Sequence, residues 1–362
     1  MSLPKREYDK HGFPLPVTFD HYMPGDQPLT PSTPNRSAAA NPAPQSNSPR
    51  RRSPWIGLIK LAVLATGIAI VVGPYVVPVV RRAMASRCAR LAQEKFEKDQ
   101  PAPALLLMDR ALSWRPDDAE LHIQRAQYRR ESSDLDGALE DLNAAMDDKD
   151  QAENPLVWIN RSEVWQRMAL SGDQPDPKMH EKAIDDANHA LALCRGEGFM
   201  RATALNQLAY SRALANQQFD QGLQEIDQAL DILNPNWLQM PNAAEAPADN
   251  DWSDEWNSSI AAFRDTRGFL LCKLGRYEEG LVDLNAAIAE TEKQHRRLTA
   301  FAQNMHRHGL SLTRPMRLLN EELGVMHYHR SLAYEKLDKA TDAKAEREQA
   351  NKLGFNPKKG VF

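Results

Sequence analysis

The 362-residue chain has few cysteines, and their placement argues against the cysteine sites that a sequence can reveal. Cys88, Cys194 and Cys272 are widely spaced and odd in number, and no CxxC or Cys/His pattern joins them. We therefore expect neither a disulfide framework nor a zinc site. Each thiol is predicted to be a small buried apolar group, since free cysteine is commonly buried.

Enzyme signatures and a strong excess of positive or negative residues are also missing. The sequence holds no P-loop, G-x-G-x-x-G, H-E-x-x-H, G-x-S-x-G or kinase catalytic loop. Lys and Arg total 45 against 49 Asp and Glu, a formal net charge of −4, so no general attraction to nucleic acid is expected. We expect a protein that is not an enzyme, has no catalytic residues, cofactor or metal, and binds neither nucleic acid nor a small-molecule substrate.

Residues 1–54 lack the apolar content of a folded domain. They hold 11 of the chain's 24 prolines, mixed with Ser, Asn, Gln and Ala. Such a composition cannot bury enough apolar surface to offset chain entropy, so a disordered Pro/Ser-rich tail is predicted. The aromatic residues near its start are either a short docking peptide or incidental residues of a solvated tail; they are Tyr8, Phe13, Phe19 and Tyr22.

Charge is absent from the twenty residues Leu61 to Val80. This length is enough to cross a hydrocarbon core of about 30 Å. The sequence therefore predicts an uncleaved transmembrane helix over 55–80 that contacts membrane lipid. A cleaved signal peptide ending at an A-x-A site at 83–85 is the rival interpretation, but the apolar run is too long and starts too far from the N-terminus.

The charges that flank this run give a near tie for its orientation. Arg50–Arg52 precede it, and four arginines between positions 81 and 90 follow it. A long polar tail ahead of a span is more easily left in the cytoplasm than exported. We therefore predict a single-pass membrane protein with a cytoplasmic tail and with the rest of the chain on the non-cytoplasmic side.

Small residues recur with a period of 34 after the apolar run. A pair seven residues apart is preceded, twelve residues earlier, by a third small residue. Small residues at these points let two helix backbones approach closely, which predicts pairs of short amphipathic helices. The small residues of the first two units are Ala92, Ala104 and Ala111, then Ala126, Ala138 and Ala145.

Four further units follow with some departures from the period. The third is stretched between its helices, at 171–179, where Pro175 and Pro177 are predicted to prevent a helix. The fourth holds one extra residue in its turn. The small residues of these units are Ser162, Ala183 and Ala190; Ala209, Gly222 and Ala229; Gly268, Gly280 and Ala287; Ser331, Ala343 and Ala350.

The spacings of 12 and 7 within a 34-residue period resemble the tetratricopeptide repeat, a helix–turn–helix unit. The resemblance covers about residues 86–355. It implies an all-α fold, a solenoid of helix pairs preceded by the disordered tail and one transmembrane helix. Units one to four are assigned to 81–236, and units five and six, with a long helical insertion, to 259–362. An acidic, Trp-bearing insertion at 237–258 separates them and is either a partner-binding element or a solvated loop.

The resemblance also implies that the first helices of the pairs line a concave groove that accepts an extended peptide or a partner helix. The Lys/Asn/Arg clamp with which some members hold a peptide carboxylate is not reproduced. Alignment to the small positions predicts the groove-facing residues Ile123, Gln127, Arg130, Ile159, Glu163, Gln166, Asn206, Tyr210, Asp265, Phe269 and Tyr328.

Two HxH pairs, at 306–308 and 327–329, do not predict a metal site. Residues two apart on a helix do not face each other, so solvated or capping histidines are expected. The sequence as a whole predicts a membrane-anchored scaffold or adaptor that binds a protein or peptide in the groove. The alternative is a constitutive structural subunit of a membrane protein complex, whose partner would survive high salt where a groove ligand would exchange.

Overall fold

The computed structural model describes residues 54–172, 175–196, 198–233, 254–305 and 312–355. All regular secondary structure in these ranges is helical. The helices are α1 (Pro54–Glu97), α2 (Pro101–Trp114), α3 (Ala119–Glu131), α4 (Leu135–Ala145), α5 (Lys149–Ala152), α6 (Pro155–Ser171), α7 (Pro177–Leu193), α8 (Phe199–Leu214), α9 (Phe219–Leu233), α10 (Asp254–Lys273), α11 (Tyr277–Met305), α12 (Thr313–Lys336) and α13 (Ala340–Lys352).

These helices form the pairs that the small-residue pattern predicts. The end of α1 shares an apolar core with α2, through residues such as Ala92 and Ala104. The later pairs are α3 with α4, α6 with α7, α8 with α9, α10 with α11 and α12 with α13. The prediction of an all-α array of helix pairs is therefore confirmed.

Five of the turns between paired helices share one backbone feature, a residue in the left-handed conformation at the end of the first helix. These residues are Asp99, Ser133, Asn216, Gly275 and Asp338, with φ of 57°, 65°, 52°, 79° and 57°. A residue in this conformation at the end of a helix reverses the chain within a few residues. The second helix of each pair therefore starts almost at once and packs back along the first.

The stretched third unit shows one local correction. Pro175 precedes α7 and is not helical, but Pro177 is the first residue of that helix, with Asp176 as its N-cap. Proline is favoured at this position because the first helical N–H has no intrahelical acceptor and the fixed φ suits a helix. Pro177 therefore begins a helix that it was predicted to prevent.

The fifth pair depends on glycine at its helix crossing. A Cβ added to Gly280 would lie 2.8 Å from the carbonyl oxygen of Gly268, and a Cβ added to Gly268 would lie 2.9 Å from that of Gly280. Both distances are too short for carbon against oxygen, and backbone atoms cannot move aside cheaply. The small residues are therefore where the two backbones touch, as the spacing predicts.

A buried ion pair also ties the two helices together in four of the pairs. An arginine stands immediately before the small residue of the first helix, and an acidic residue stands three positions after the first small residue of the second helix. The pairs are Arg125 with Asp141, Arg161 with Asp186, Arg267 with Asp283 and Arg330 with Glu346. The fourth unit varies the pattern, because Arg212 lies three residues after Ala209 and pairs with Glu225 at 2.9 Å.

Neighbouring pairs pack most extensively through the second helix of one pair and the first helix of the next, as in α7 with α8 and α9 with α10. Their first helices also contact one another, α3 with α6, α6 with α8, α8 with α10 and α10 with α12. We call the surface formed by these helices the first-helix face. Units four to six share one apolar core, which includes Tyr210, Leu230, Leu270 and Val325. The insertions before and after unit five therefore do not interrupt the packing of its neighbours.

The prediction of a membrane anchor is wrong. Throughout the ranges that the structure describes, no helix is both long enough and apolar enough to span a bilayer. The uncharged run at 61–80 is not a separate element, because it lies within α1, which includes Pro74 and Pro78 and continues past Arg81 to Glu97. The predicted single-pass topology is withdrawn with it, and the lipid contact predicted for 55–80 is not tested by the structure.

Other predicted segments fall partly or wholly outside the described residues. The tail at 1–53, with its aromatic residues, lies outside them. The acidic insertion does so as far as residue 253, and its last five residues open α10. In the long insertion, α11 continues to Met305 and α12 begins at Thr313.

Candidate peptide-binding face

The eleven predicted groove residues all lie on first helices, but they differ in accessibility. Gln127 is exposed. The half-buried residues are Ile123, Arg130, Glu163, Asn206 and Tyr328. The buried residues are Ile159, Gln166, Tyr210, Asp265 and Phe269.

Several of the buried candidates connect neighbouring helices. Gln166 donates a hydrogen bond from Nε2 to the Ser211 hydroxyl, at 2.6 Å, which joins α6 to α8. Ile159 belongs to an apolar cluster with Ala204. Because these side chains are occupied in packing, they support the first-helix face rather than offer atoms to a ligand.

Asp265 forms the most buried polar contact on this face. It is 0% exposed, and His329 of α12 places Nδ1 2.9 Å from its Oδ2. The His329 ring stacks on Phe269, with 4.0 Å between ring centroids. Burial raises the pKa of the Tyr210 hydroxyl well above its usual value, and the negative charge of Asp265 raises it further. This group of side chains locks α8, α10 and α12 together.

The histidines of the second HxH pair were predicted to be solvated or capping. Instead both are buried, and each lies against a different carboxylate. His327 lies 2.7 Å from Glu346, whereas His329 contacts Asp265. Among the described residues, no group of three or more His, Cys, Asp or Glu side chains is placed to hold a metal ion. His306 and His308 lie outside the described ranges.

Two half-buried arginines, Arg130 and Arg167, form a polar centre between α3 and α6. Arg130 pairs with Glu163 through Nη1. Burial, together with the positive charge of Arg167, lowers the pKa of Arg130 to about 10. Burial is also the main cause of the lowered pKa of Arg167. The two cations are therefore held close together in a region with little water.

Three neighbouring first helices each present a buried polar atom with unused hydrogen-bonding capacity. Arg130 Nε on α3, Arg167 Nε on α6 and Asn206 Oδ1 on α8 have no hydrogen-bond partner within the described part of the chain. Two of these atoms belong to donors and one is an acceptor. Ile123, Gln127 and Arg130 also line one narrow pocket between α3 and α6.

Arg167 was not among the residues predicted from the sequence. The alignment to small positions selected Glu163 and Gln166 on this helix and passed over the next residue. A charged residue within the largely apolar run Trp165–Leu170 was the available signal, because buried arginine needs a partner or a function.

The first helix of the last unit carries an extra segment across this face. α6 begins at Pro155, about two turns before its small residue Ser162, whereas α12 begins at Thr313, about five turns before Ser331. We call residues 313–322 the α12 extension. It reaches the first two units, which lie far away in the sequence.

The α12 extension is bound to those units through two arginines. Arg314 donates to both carboxylate oxygens of Glu131, at 2.5 and 3.2 Å. Arg317 donates to Glu131 at 3.1 Å and to Asp99 at 2.9 Å. The Arg314 guanidinium also lies over the ring of Phe96, 4.4 Å from its centroid. Glu131 is therefore shared by two arginines of a distant helix.

Stacked helix pairs with a polar first-helix face define an all-α repeat protein of the helical-hairpin kind. No family model and no curated protein matches the chain. Solved structures with similar folds do match it, at low sequence identity.

Three of these structures are tetratricopeptide repeat proteins. TTC0263 of Thermus thermophilus is 18% identical over 60% of this chain and 97% of its own, with a TM-score of 0.43. A protein of Parabacteroides merdae ATCC 43184 is 15% identical over 76% of this chain and 94% of its own, with a TM-score of 0.41. YrrB, described as having an unusual peptide-binding site, is 13% identical over 68% and 91%, with a TM-score of 0.34.

Proposed function

We propose that this protein is a scaffold or adaptor, not an enzyme, that binds a protein or peptide on its first-helix face. The observation that carries the proposal is the set of unused polar atoms on three adjacent helices, Arg130 Nε, Arg167 Nε and Asn206 Oδ1. A buried donor or acceptor without a partner costs about 1–3 kcal/mol. A ligand that supplies partners recovers this cost on binding.

A peptide main chain is the ligand that best matches this set. Its carbonyl groups accept hydrogen bonds from Arg130 and Arg167, and its N–H groups donate to Asn206. Since every residue except proline carries both groups, such contacts tolerate many sequences. Side chains around them, such as the exposed Gln127 and the half-buried Ile123, then contribute to selectivity.

The proposal is tested by comparing partners recovered with matched asparagine variants. Full-length tagged protein is expressed in its native cell, and co-purified proteins are quantified by mass spectrometry for wild type, Asn206→Ala and Asn188→Ala. Asn188 is exposed on α7, a second helix. We expect Asn206→Ala to lower recovery of a specific partner by about ten-fold, which corresponds to roughly 1.4 kcal/mol, and Asn188→Ala to leave it unchanged.

Equal recovery by Asn206→Ala and wild type would contradict the proposal, provided that both proteins show the same helical circular dichroism. A partner lost equally from both asparagine variants would also contradict it, because that result places binding outside the first-helix face.

A further inference from the structure

The α12 extension is attached to the first two units mainly by charge. Its two arginines bind Glu131 and Asp99, and Glu131 has a side chain only 9% exposed. Hydrogen bonds between guanidinium and carboxylate groups are among the stronger ones in proteins. Arg314 and Arg317 are three residues apart on a helix, so they lie on the same side of it. One face of the extension therefore makes all of these contacts.

Apolar packing contributes much less to holding the extension. Within the described chain, no residue of 313–322 belongs to a buried apolar cluster, whereas Leu323 and Met326, just beyond it, do. Leu318 and Leu319 instead border an open cavity of about 470 Å³ between α11 and α12. The extension is thus held at its C-terminal end by the core, and against the first two units by ion pairs and by the contact of Arg314 with the Phe96 ring.

The extension also lies beside the polar centre of the first-helix face. The positive charge of Arg314 acts on Arg130, and the charges of Glu321 and Arg317 act on Arg167. Arg130 and Glu131 are consecutive residues at the end of α3. A ligand that reaches Arg130 therefore comes next to the contact that the extension makes with Glu131.

We propose that the α12 extension is an internal occupant of the first-helix face, and that the external partner is a peptide segment with the same charged side chains which replaces it and whose main chain is free to pair with Arg130, Arg167 and Asn206. Such a segment carries two arginines three residues apart, which pair with Glu131 and Asp99, followed by leucines. The inference rests on the proposed binding function and specifies the class of partner. It also makes binding conditional on release of the extension.

The test uses a fluorescent peptide of residues 312–323, LTRPMRLLNEEL, and the full-length protein. Wild-type protein should bind this peptide weakly, because its own extension occupies the face. Arg314→Glu combined with Arg317→Glu in the protein weakens the internal contacts and should tighten peptide binding by about ten-fold or more, measured by fluorescence anisotropy.

Two matched controls check that the peptide binds the same acidic residues. We call the protein with Arg314→Glu and Arg317→Glu the released variant. A peptide with both arginines changed to glutamate should not bind the released variant. Glu131→Arg added to the released variant should abolish binding of the original peptide. Equal binding of the original peptide by wild type and released variant, or no binding by either, would overturn the proposal. Binding that survives Glu131→Arg would overturn it as well.

A second measurement uses only the wild-type protein, and so does not depend on the folding of variants. Hydrogen exchange is compared at about 0.1 M and about 1 M sodium chloride, where the screening length falls from about 10 to about 3 Å. We expect exchange to accelerate across 313–322 and not across α8. Exchange of 313–322 that is unaffected by salt would contradict an extension held by ion pairs.

Failure of this inference is distinguishable from failure of the proposed function. Peptide binding by the released variant, together with no effect of Asn206→Ala on partner recovery, would uphold the internal occupant and reject the external partner. A partner lost in Asn206→Ala, together with no gain of peptide binding on release, would keep the function and reject the occupant.

Discussion

At the scale of single residues, Gly268 and Gly280 determine how closely the fifth helix pair packs. A methyl group on Gly280 would lie 2.8 Å from a backbone oxygen and 2.7 Å from Cys272 Sγ. Alanine favours a helix over glycine by about 1 kcal/mol, but overpacking against a rigid backbone costs about 1–3 kcal/mol or more. The close contact should therefore outweigh the gain in helix propensity.

We predict that Gly280→Ala lowers the free energy of unfolding by about 1–2 kcal/mol, measured by urea denaturation. Gly73→Ala is the control, because a Cβ at this helical position meets nothing within 4 Å. It should be neutral or stabilising. Equal effects of the two substitutions would show that the fifth pair tolerates a wider crossing than the structure has.

Glu322, the last residue of the α12 extension, should make stability depend on pH. Burial, together with the negative charge of Asp265, raises its pKa to about 7. Between its ordinary value of 4.5 and about 7, the folded protein holds a proton that the unfolded chain releases. Its contribution to stability therefore falls as pH rises through this range.

We predict that Glu322→Gln raises the thermal midpoint at about pH 8 and has a smaller effect at about pH 5, because only the higher pH ionises the native carboxyl. Glu140→Gln, at an exposed position of α4, serves as the control and should show no such difference. A gain from Glu322→Gln that is the same at both pH values would contradict a raised pKa.

At the scale of the helix pair, small residues and buried ion pairs cooperate. In the third unit, Arg161 donates from Nε and Nη2 to Asp186, both at 2.7 Å, and Asp186 is 6% exposed. Removing one partner of a buried pair leaves an uncompensated charge, which costs about 3–5 kcal/mol, whereas replacing both with apolar residues is often close to neutral.

We predict that Asp186→Leu alone strongly destabilises the protein, and that Arg161→Met restores much of the loss when it is added. The free energy of unfolding of the two single variants and the double variant forms a cycle that isolates the pair. Additive losses would show that the two side chains stabilise the fold independently.

The helix pairs were largely predictable, and their ion pairs were not. Small residues such as Ala138 and Ala145 recur at fixed offsets. Because two backbones can cross closely only at small residues, each crossing is visible in the sequence. Arg161 and Asp186 are 25 positions apart, so their contact became visible only once the two helices were superposed in space. The uncharged run at 61–80 predicted a membrane span that the described part of the chain does not show, since no helix there is both long enough and apolar enough to cross a bilayer.

At the scale of the whole molecule, the sequence predicted which helices form the first-helix face. It did not predict which residues of that face are buried, or that the α12 extension contacts the first two units. The sequence placed Arg130 and Asn206 on this face, while five of its companions turned out to be buried in packing. The α12 extension was seen only as a helical insertion. Its contact with Glu131 joins residues 183 positions apart, and no local pattern predicts such a contact.

A site-specific photocrosslinker tests the central claim, binding on the first-helix face, most directly. It is introduced in place of Gln127, an exposed residue of α3, or of Val282, an exposed residue of α11. On irradiation in the native cell, we predict that the protein labelled at 127 crosslinks to a specific partner peptide and that the protein labelled at 282 does not. Capture of the same partner from position 282 alone would contradict the account, because that surface belongs to the second helices.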